Sequence, residues 1–205
     1  MEIVDKFILS AIYSSSFTGN DPIDIVKGKT HLTDQYINNR IENLIKNGLI
    51  ETDKKNLTEI GRSSLRVVLA GGVFDIIHPG HIHTLNSAKA LGDVLVVVVA
   101  TDITAQKMKK RKPLHKQNQR KDLVSSLSMV DLCVIGQEGD IFKTVEIIKP
   151  EIIALGYDQV HQEKFITDGC RKLNLDIKVA RLQSPIPEIS SSEIEREYGE
   201  AIHGI

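Results

Sequence analysis

Apolar residues recur at helical spacing in the first third of the chain and fall into continuous β-branched runs after it, so the texture changes near residue 65. Over residues 35–50, Ile37, Ile41, Leu44, Ile45 and Leu49 lie three or four apart with polar residues between them. This predicts an amphipathic helix that ends near Gly48, with Thr33 or Asp34 as its N-cap. The apolar stretch 4–13 and a short segment at 22–27 predict two further helices ahead of it. Residues 49–60 carry two short alternating runs around Asp53-Lys54-Lys55-Asn56, which predicts a small hairpin.

Beyond Arg66 the apolar runs are 67–70, 94–100, 132–135, 152–155 and, with charge mixed in, 177–182. Unbroken apolar strands are what a parallel sheet needs when helices cover both of its faces. The segments 81–91, 120–129, 142–148 and 162–173 are long enough to be the crossover helices. The fold class is therefore α/β: a five-stranded parallel, Rossmann-like sheet with helices on both faces. Lys178 and Arg181 in the last run predict an edge strand. In such sheets ligands bind beyond the carboxyl ends of the strands.

This division gives two domains, 1–64 and 65–205. The first resembles a winged helix, which would make 33–46 a DNA-recognition helix. Charge argues against that use: residues 1–65 hold eight Lys or Arg and nine Asp or Glu, with no basic excess to neutralise phosphates. DNA is thus an unfavoured partner, and packing or pairing of subunits in a homodimer is the preferred role for this module. The whole chain of 205 residues has a formal net charge of -1, which gives no global pull toward nucleic acid or a membrane surface. Its longest apolar run, 94–100, is far short of a bilayer span, and the two cysteines, Cys133 and Cys170, suit a reducing compartment. A cytoplasmic location away from membranes is expected.

Candidate chemistry begins where the first strand ends, at Gly71-Gly72-Val73-Phe74-Asp75-Ile76-Ile77-His78-Pro79-Gly80-His81. Two glycines after a strand allow close approach of backbone to ligand, and Pro79 is suited to open a helix. A helix N-terminus attracts anions, and His78 and His81, three apart, can face one phosphate together. A zinc site from Asp75, His78 and His81 is the rival chemical reading. His83, two residues on, points off that face. Between Lys107 and Lys121 eight residues are Lys or Arg and none is acidic, so a basic loop after the second strand faces the same crevice.

The stretch 72–81 resembles the His-x-Gly-His signature of the cytidylyltransferase-like nucleotidyltransferases, here His78-Pro79-Gly80-His81, and the similarity runs over most of 66–197. Leu91-Gly92-Asp93, Arg111-Lys112-Pro113, Gly156-Tyr157-Asp158-Gln159 and Ile189-Ser190-Ser191-Ser192 agree with it in order and spacing. The resemblance implies transfer of a nucleoside monophosphate from an NTP to a phosphorylated acceptor, with release of pyrophosphate. It implies catalytic roles for His78, His81, Lys109 and Arg120, of which Arg120 is expected to open a helix and to contact phosphate. It implies nucleotide binding by Gly71, Gly72, Val73, Phe74, Gly80, Arg111, Lys112, Gly156, Asp158, Ser190 and Ser191 beside the two histidines. Ser190 or its neighbours could also be plain helix caps, and Tyr157 simple edge packing.

No nucleophilic side chain is required, because positioning and charge stabilisation can carry such a transfer. Magnesium is expected with the NTP, its ligands unassigned; Asp75 is the nearest carboxylate, though it could instead bind the acceptor. The phrasing is most similar to the family's archaeal members that use ATP and FMN. The arginine that glycerol-phosphate cytidylyltransferases carry just before the serines is missing from Gln183-Ser184-Pro185-Ile186-Pro187-Glu188. The alternative pair is CTP and glycerol phosphate. Another class of reading is a transcription regulator in which a nucleotide-sensing domain controls the winged helix.

Overall fold

In the computed structural model the described residues are 1–157, 159–183 and 194. The β-branched runs form β1 (Val67–Gly72), β2 (Val94–Val99), β3 (Leu132–Ile135), β4 (Ile152–Leu155) and β5 (Lys178–Arg181). They make one five-stranded sheet in the order β3-β2-β1-β4-β5. Parallel pairing sets Val68 opposite Ile152, Val96 opposite Leu132 and Ile152 opposite Lys178. β2 is buried along its whole length, as an interior strand between two helical layers requires. β5 lies at the edge with both of its ends exposed, which is why it tolerates Lys178 and Arg181. The core packs Val68, Ala70, Leu95, Val97 and Val99 against Leu85 and Ala88 of one helix and Val124 of another.

The strand order reverses beside β1, whose neighbours β2 and β4 follow it in sequence on opposite sides. This is the switch point at which an open α/β sheet leaves a crevice.

The described residues include the helices α1 (Ile3–Thr18), α2 (Pro22–Lys29), α3 (Asp34–Lys46), α4 (Glu59–Ser63), α5 (Pro79–Lys89), α6 (Asp102–Lys109), α7 (Gln117–Ser125), α8 (Ile141–Ile148) and α9 (Val160–Lys172). One of them corrects the sequence reading: the segment after β2 is not a loop but α6. Thr101 caps it by accepting from the Thr104 N–H, yet Ile103, Ala105 and Met108 make too thin an apolar stripe to betray a helix. Lys107 and Lys109 therefore sit in a last helical turn, where the helix dipole favours cations. Lys110 follows in the left-handed region at φ 57° and ends the helix.

The structure separates into two compact units, Met1–Arg66 with Gly92–Val94, and Val67–Leu91 with Leu95–Ile205. In the first, α3 is capped by Thr33 and buries Ile37, Ile41 and Leu44. Arg40 ties α3 to α1 through Asp5, with Nη2 and Nε donating to Oδ1 at 2.6 and 3.0 Å. The expected hairpin shrinks to a single antiparallel bridge, Ile50 with Leu57. Its second run turns into α4 instead, because the Thr58 hydroxyl accepts from the Gly61 N–H and caps a helix there. Among the described residues no helix is long and apolar enough to cross a membrane.

Candidate active site

β1 delivers its last residues to the crevice, and the chain turns there at Phe74, whose φ is 53°. A left-handed backbone at a side chain this large costs about 1 to 2 kcal/mol, so neighbouring contacts must hold it. The Phe74 ring is buried, lies over Gly72 and meets the His81 ring at 5.2 Å between centroids. A Cβ on Gly72 would come within 2.9 Å of that ring, so glycine is required at 72 to admit Phe74, while Gly71 has ordinary clearance from Val98. Val73 and Gly80 are buried, and Gly71 is exposed.

His78 is the N-cap of α5, and Pro79 opens the helix. His81, one turn on, brings its ring to 3.9 Å from that of His78, centroid to centroid. Burial pushes the His81 imidazole down to about 4, aided by the positive charges of His78 and Lys109. His81 is thus neutral at pH 7. Its Nδ1 is buried and has no hydrogen-bond partner among the described residues, so it is available to a ligand or water. Lys109, at the end of α6, is near enough for its charge to act on His81. A helix N-terminus, two neighbouring imidazoles and a nearby ammonium are groups able to receive an anion on which charge develops.

The remaining candidates are arranged differently from expectation. Arg120 is not at the start of a helix facing phosphate: it is the fourth residue of α7 and wholly buried. Its Nη1 donates to the Val73 carbonyl at 2.7 Å, Nε to the His115 carbonyl at 2.9 Å and Nη2 to Asp102 Oδ1 at 2.8 Å. A guanidinium enclosed by these acceptors is committed to protein. The sequence reading sets Arg120 against phosphate; the structure sets it against these three protein acceptors.

Asp75 is likewise buried, and both of its oxygens are taken. Arg111 Nη1 donates to Oδ2 at 2.8 Å, and the His115 N–H donates to Oδ1 at 3.2 Å. Burial alone would raise its pKa, but the Arg111 guanidinium and the N–H groups of His115 and Leu114 outweigh it and hold the carboxyl below its ordinary value. The carboxylate expected to bind the acceptor is thus held by Arg111 and His115, and it forms no zinc triad with His78 and His81 among the described residues. Among the described residues no cluster of three or more His, Cys, Asp or Glu is arranged to hold a metal ion. The other carboxylate at this end, Asp102, accepts from Arg120 and from the Gln117 N–H at 2.8 Å.

Arg111 also donates to the Lys112 carbonyl at 2.8 Å, and the Lys112 side chain faces solvent. Gly156 follows β4, next to β1, but its N–H already donates to the Gln159 side chain at 2.8 Å. Asp158, Ser190 and Ser191 lie outside the described residues. His115 and Asp102 escaped the sequence reading. Asp102 looks like an ordinary acid in a first helical turn, and His115 is hidden in a run read only for its cations.

The family profile described as cytidylyltransferase-like matches residues 69–197. The chain is similar to the FAD synthase of Picrophilus torridus, 50% identical over 130 residues that make 63% of this chain and 93% of that one. It is 50% identical over 116 residues to the FAD synthase of Aciduliprofundum boonei, covering 57% of this chain and 77% of that one. Among solved structures it is similar to the lipopolysaccharide core biosynthesis protein of Thermoplasma volcanium, with a TM-score of 0.56, 46% identity, and coverage of 58% of this chain and 98% of that one. Each of these matches leaves more than a third of the present chain outside it. With its strand-end glycines, its His78–His81 pair and the extent of the match, the chain belongs to the cytidylyltransferase-like family of nucleotidyltransferases.

Proposed function

We propose that this nucleotidyltransferase adenylates FMN: a phosphate oxygen of FMN attacks the α-phosphorus of ATP, the bond from that phosphorus to the β-phosphate oxygen breaks, and pyrophosphate leaves as FAD forms. The observation that carries the transfer chemistry is the facing pair His78 and His81, 3.9 Å apart at the start of α5. Half-identity to FAD synthases along nearly the whole of one of them supports FMN as acceptor and ATP as donor.

In this reading the imidazoles of His78 and His81 donate to the α- and β-phosphate oxygens as charge grows on them, and Lys109 adds a positive charge on the same side. His81 is neutral when the site is empty, so it avoids repelling its neighbour and gains a proton only when the triphosphate arrives. Arg111, held by Asp75, and Lys112 border the phosphates; Gly71 and Gly72 let them approach the backbone. Magnesium enters as the counter-ion of ATP, with no protein carboxylate assigned to it. Gly156, Asp158, Ser190 and Ser191 complete the nucleotide contacts on the strength of the family pattern. The N-terminal unit keeps its winged-helix reading, with subunit pairing preferred to DNA binding.

The test is pyrophosphate release by the full chain with magnesium, crossing ATP and CTP against FMN and glycerol phosphate, with His81→Ala as control. Release with ATP and FMN alone, lost in the variant, is the expected result. Release confined to CTP and glycerol phosphate would replace the proposal with alditol-phosphate cytidylyl transfer. No release with any pair, together with ligand-sensitive DNA binding, would point to a regulator.

A further inference from the structure

A wholly buried cation one turn inside a helix, at the edge of a crevice read as anion-binding, calls for a function, and all three of its bonds end on protein. We propose that Arg120 is a positioning residue, which fixes the strained turn at Phe74 and, through the Phe74 ring, the catalytic orientation of His81, without touching the nucleotide. This rests on the reading of His78 and His81 as the transfer site.

The connection is continuous. The Val73 carbonyl that accepts from Arg120 Nη1 belongs to the peptide joining Val73 to Phe74, so gripping it at 2.7 Å sets the rotation that leaves Phe74 at φ 53°. From that backbone the Phe74 ring lies over Gly72 and against His81, 5.2 Å between centroids. The same guanidinium holds the His115 carbonyl, while the N–H and ring Nδ1 of His115 meet the carboxylate and the carbonyl of Asp75, each at 3.2 Å. The turn after β1 is thereby clasped at Val73 from one side and at Asp75 from the other. Asp102 supplies the opposite charge at 2.8 Å, and its carboxylate also accepts from Gln117, which registers α6 with the start of α7.

A phosphate ligand at position 120 would turn donors toward solvent-accessible space. Arg120 has none of its side chain exposed. Arginine suits the brace because its planar fork serves three acceptors in fixed directions, which a lysine ammonium reproduces only in part.

The experiment uses the full chain and reads two quantities separately: the Kd for MgATP by calorimetry without acceptor, and kcat for pyrophosphate release with saturating ATP and FMN. For Arg120→Gln, kcat is expected to fall about 10- to 100-fold while the Kd for MgATP stays within about threefold of the wild type. Arg120→Lys should recover part of kcat. The His81 ring resonances of the nucleotide-free protein should move in Arg120→Gln, a readout that needs no turnover. A Kd weakened about tenfold or more, with kcat at saturation and the His81 resonances unchanged, would overturn the proposal in favour of a phosphate ligand.

Asp102→Asn covers the case in which Arg120→Gln does not fold. As a positioning brace, its loss lowers kcat with no gain in ATP affinity. Were Arg120 a phosphate ligand restrained by Asp102, freeing it would tighten MgATP, and that result would overturn the proposal. Failure of the underlying site reading is distinct: His81→Ala would then keep wild-type kcat.

Discussion

The imidazole rings of His78 and His81 stand 3.9 Å apart and tilted by 42°, one at the N-cap of α5 and the other a turn inside it. At this separation a second proton on the pair meets the charge of the first, and burial of His81 already disfavours its charged form, so His81 is held down at about 4. Proton uptake and nucleotide binding are consequently linked. A bound triphosphate raises the pKa of His81, so MgATP binding near about pH 5 to 6 should take up a fraction of a proton. Calorimetry in buffers of different ionisation heat measures it, and His81→Gln should remove most of the uptake. Equal uptake in that variant would assign the linkage to another group.

The same lowered pKa makes stability depend on pH in the nucleotide-free protein. The unfolded imidazole takes a proton near 6.5 and the folded one only at about 4, so between these values the unfolded state binds more protons. Stability therefore declines as pH falls through that window, by an amount on the order of 1 to 3 kcal/mol from this group. Denaturant unfolding of the wild type and His81→Gln at pH 7 and pH 4.5 should show a smaller decline in the variant.

Gly72 and Gly71 are adjacent in sequence and unequal in consequence. A methyl on Gly72 would meet the Phe74 ring at 2.9 Å, and that ring is itself buried against His81, whereas a methyl on Gly71 meets Val98 no closer than 3.6 Å. Gly72→Ala should lower stability by about 1 to 3 kcal/mol and reduce kcat, because overpacking displaces the ring that supports His81. Gly71→Ala should change stability by roughly 0.5 kcal/mol or less. Thermal unfolding of the two variants side by side checks the contrast, and equal effects would contradict it.

Asp75 answers to acid in its own way. Arg111 and the His115 N–H favour its ionised form against the effect of burial, so its folded pKa is depressed. The stabilisation is present above the ordinary carboxylate pKa and disappears as pH falls through the depressed one. Asp75→Asn keeps the size and loses the charge, and it should cost about 1 to 3 kcal/mol at pH 7. That difference should narrow in strong acid, as denaturant titrations at the two pH values would record.

In the N-terminal unit, Gly61 packs directly on the backbone of Leu49, and an added Cβ would run into the Leu49 carbonyl. Gly61→Ala should destabilise this unit by more than about 2 kcal/mol, read by hydrogen exchange of α3 and α4 amides, while amides of β1 and β2 keep their protection. Uniform loss of protection throughout would show that the two units unfold together.

Period and punctuation were enough to find most of the architecture. The runs at Val94–Val99 and Ile152–Leu155 are apolar without interruption because helices cover both faces of the sheet, and the glycines, Pro79 and paired histidines announce a strand-to-helix turn within eleven residues. These signals are local, so the sequence alone determined them. α6 escaped because its helix rests on the Thr101 cap and a narrow stripe, and the 49–60 hairpin was overextended because Thr58 serves a helix start as readily as a strand. The destinations of charged side chains were decided elsewhere. Arg120, Asp102, Asp75 and Arg111 stand up to 45 residues apart in the chain, and a cation next to an anion site in sequence looks the same whether it will meet a phosphate or a carbonyl. Only the packing of α7 against the turn after β1 brings these groups together: among the described residues buried Arg120 donates to Val73, His115 and Asp102.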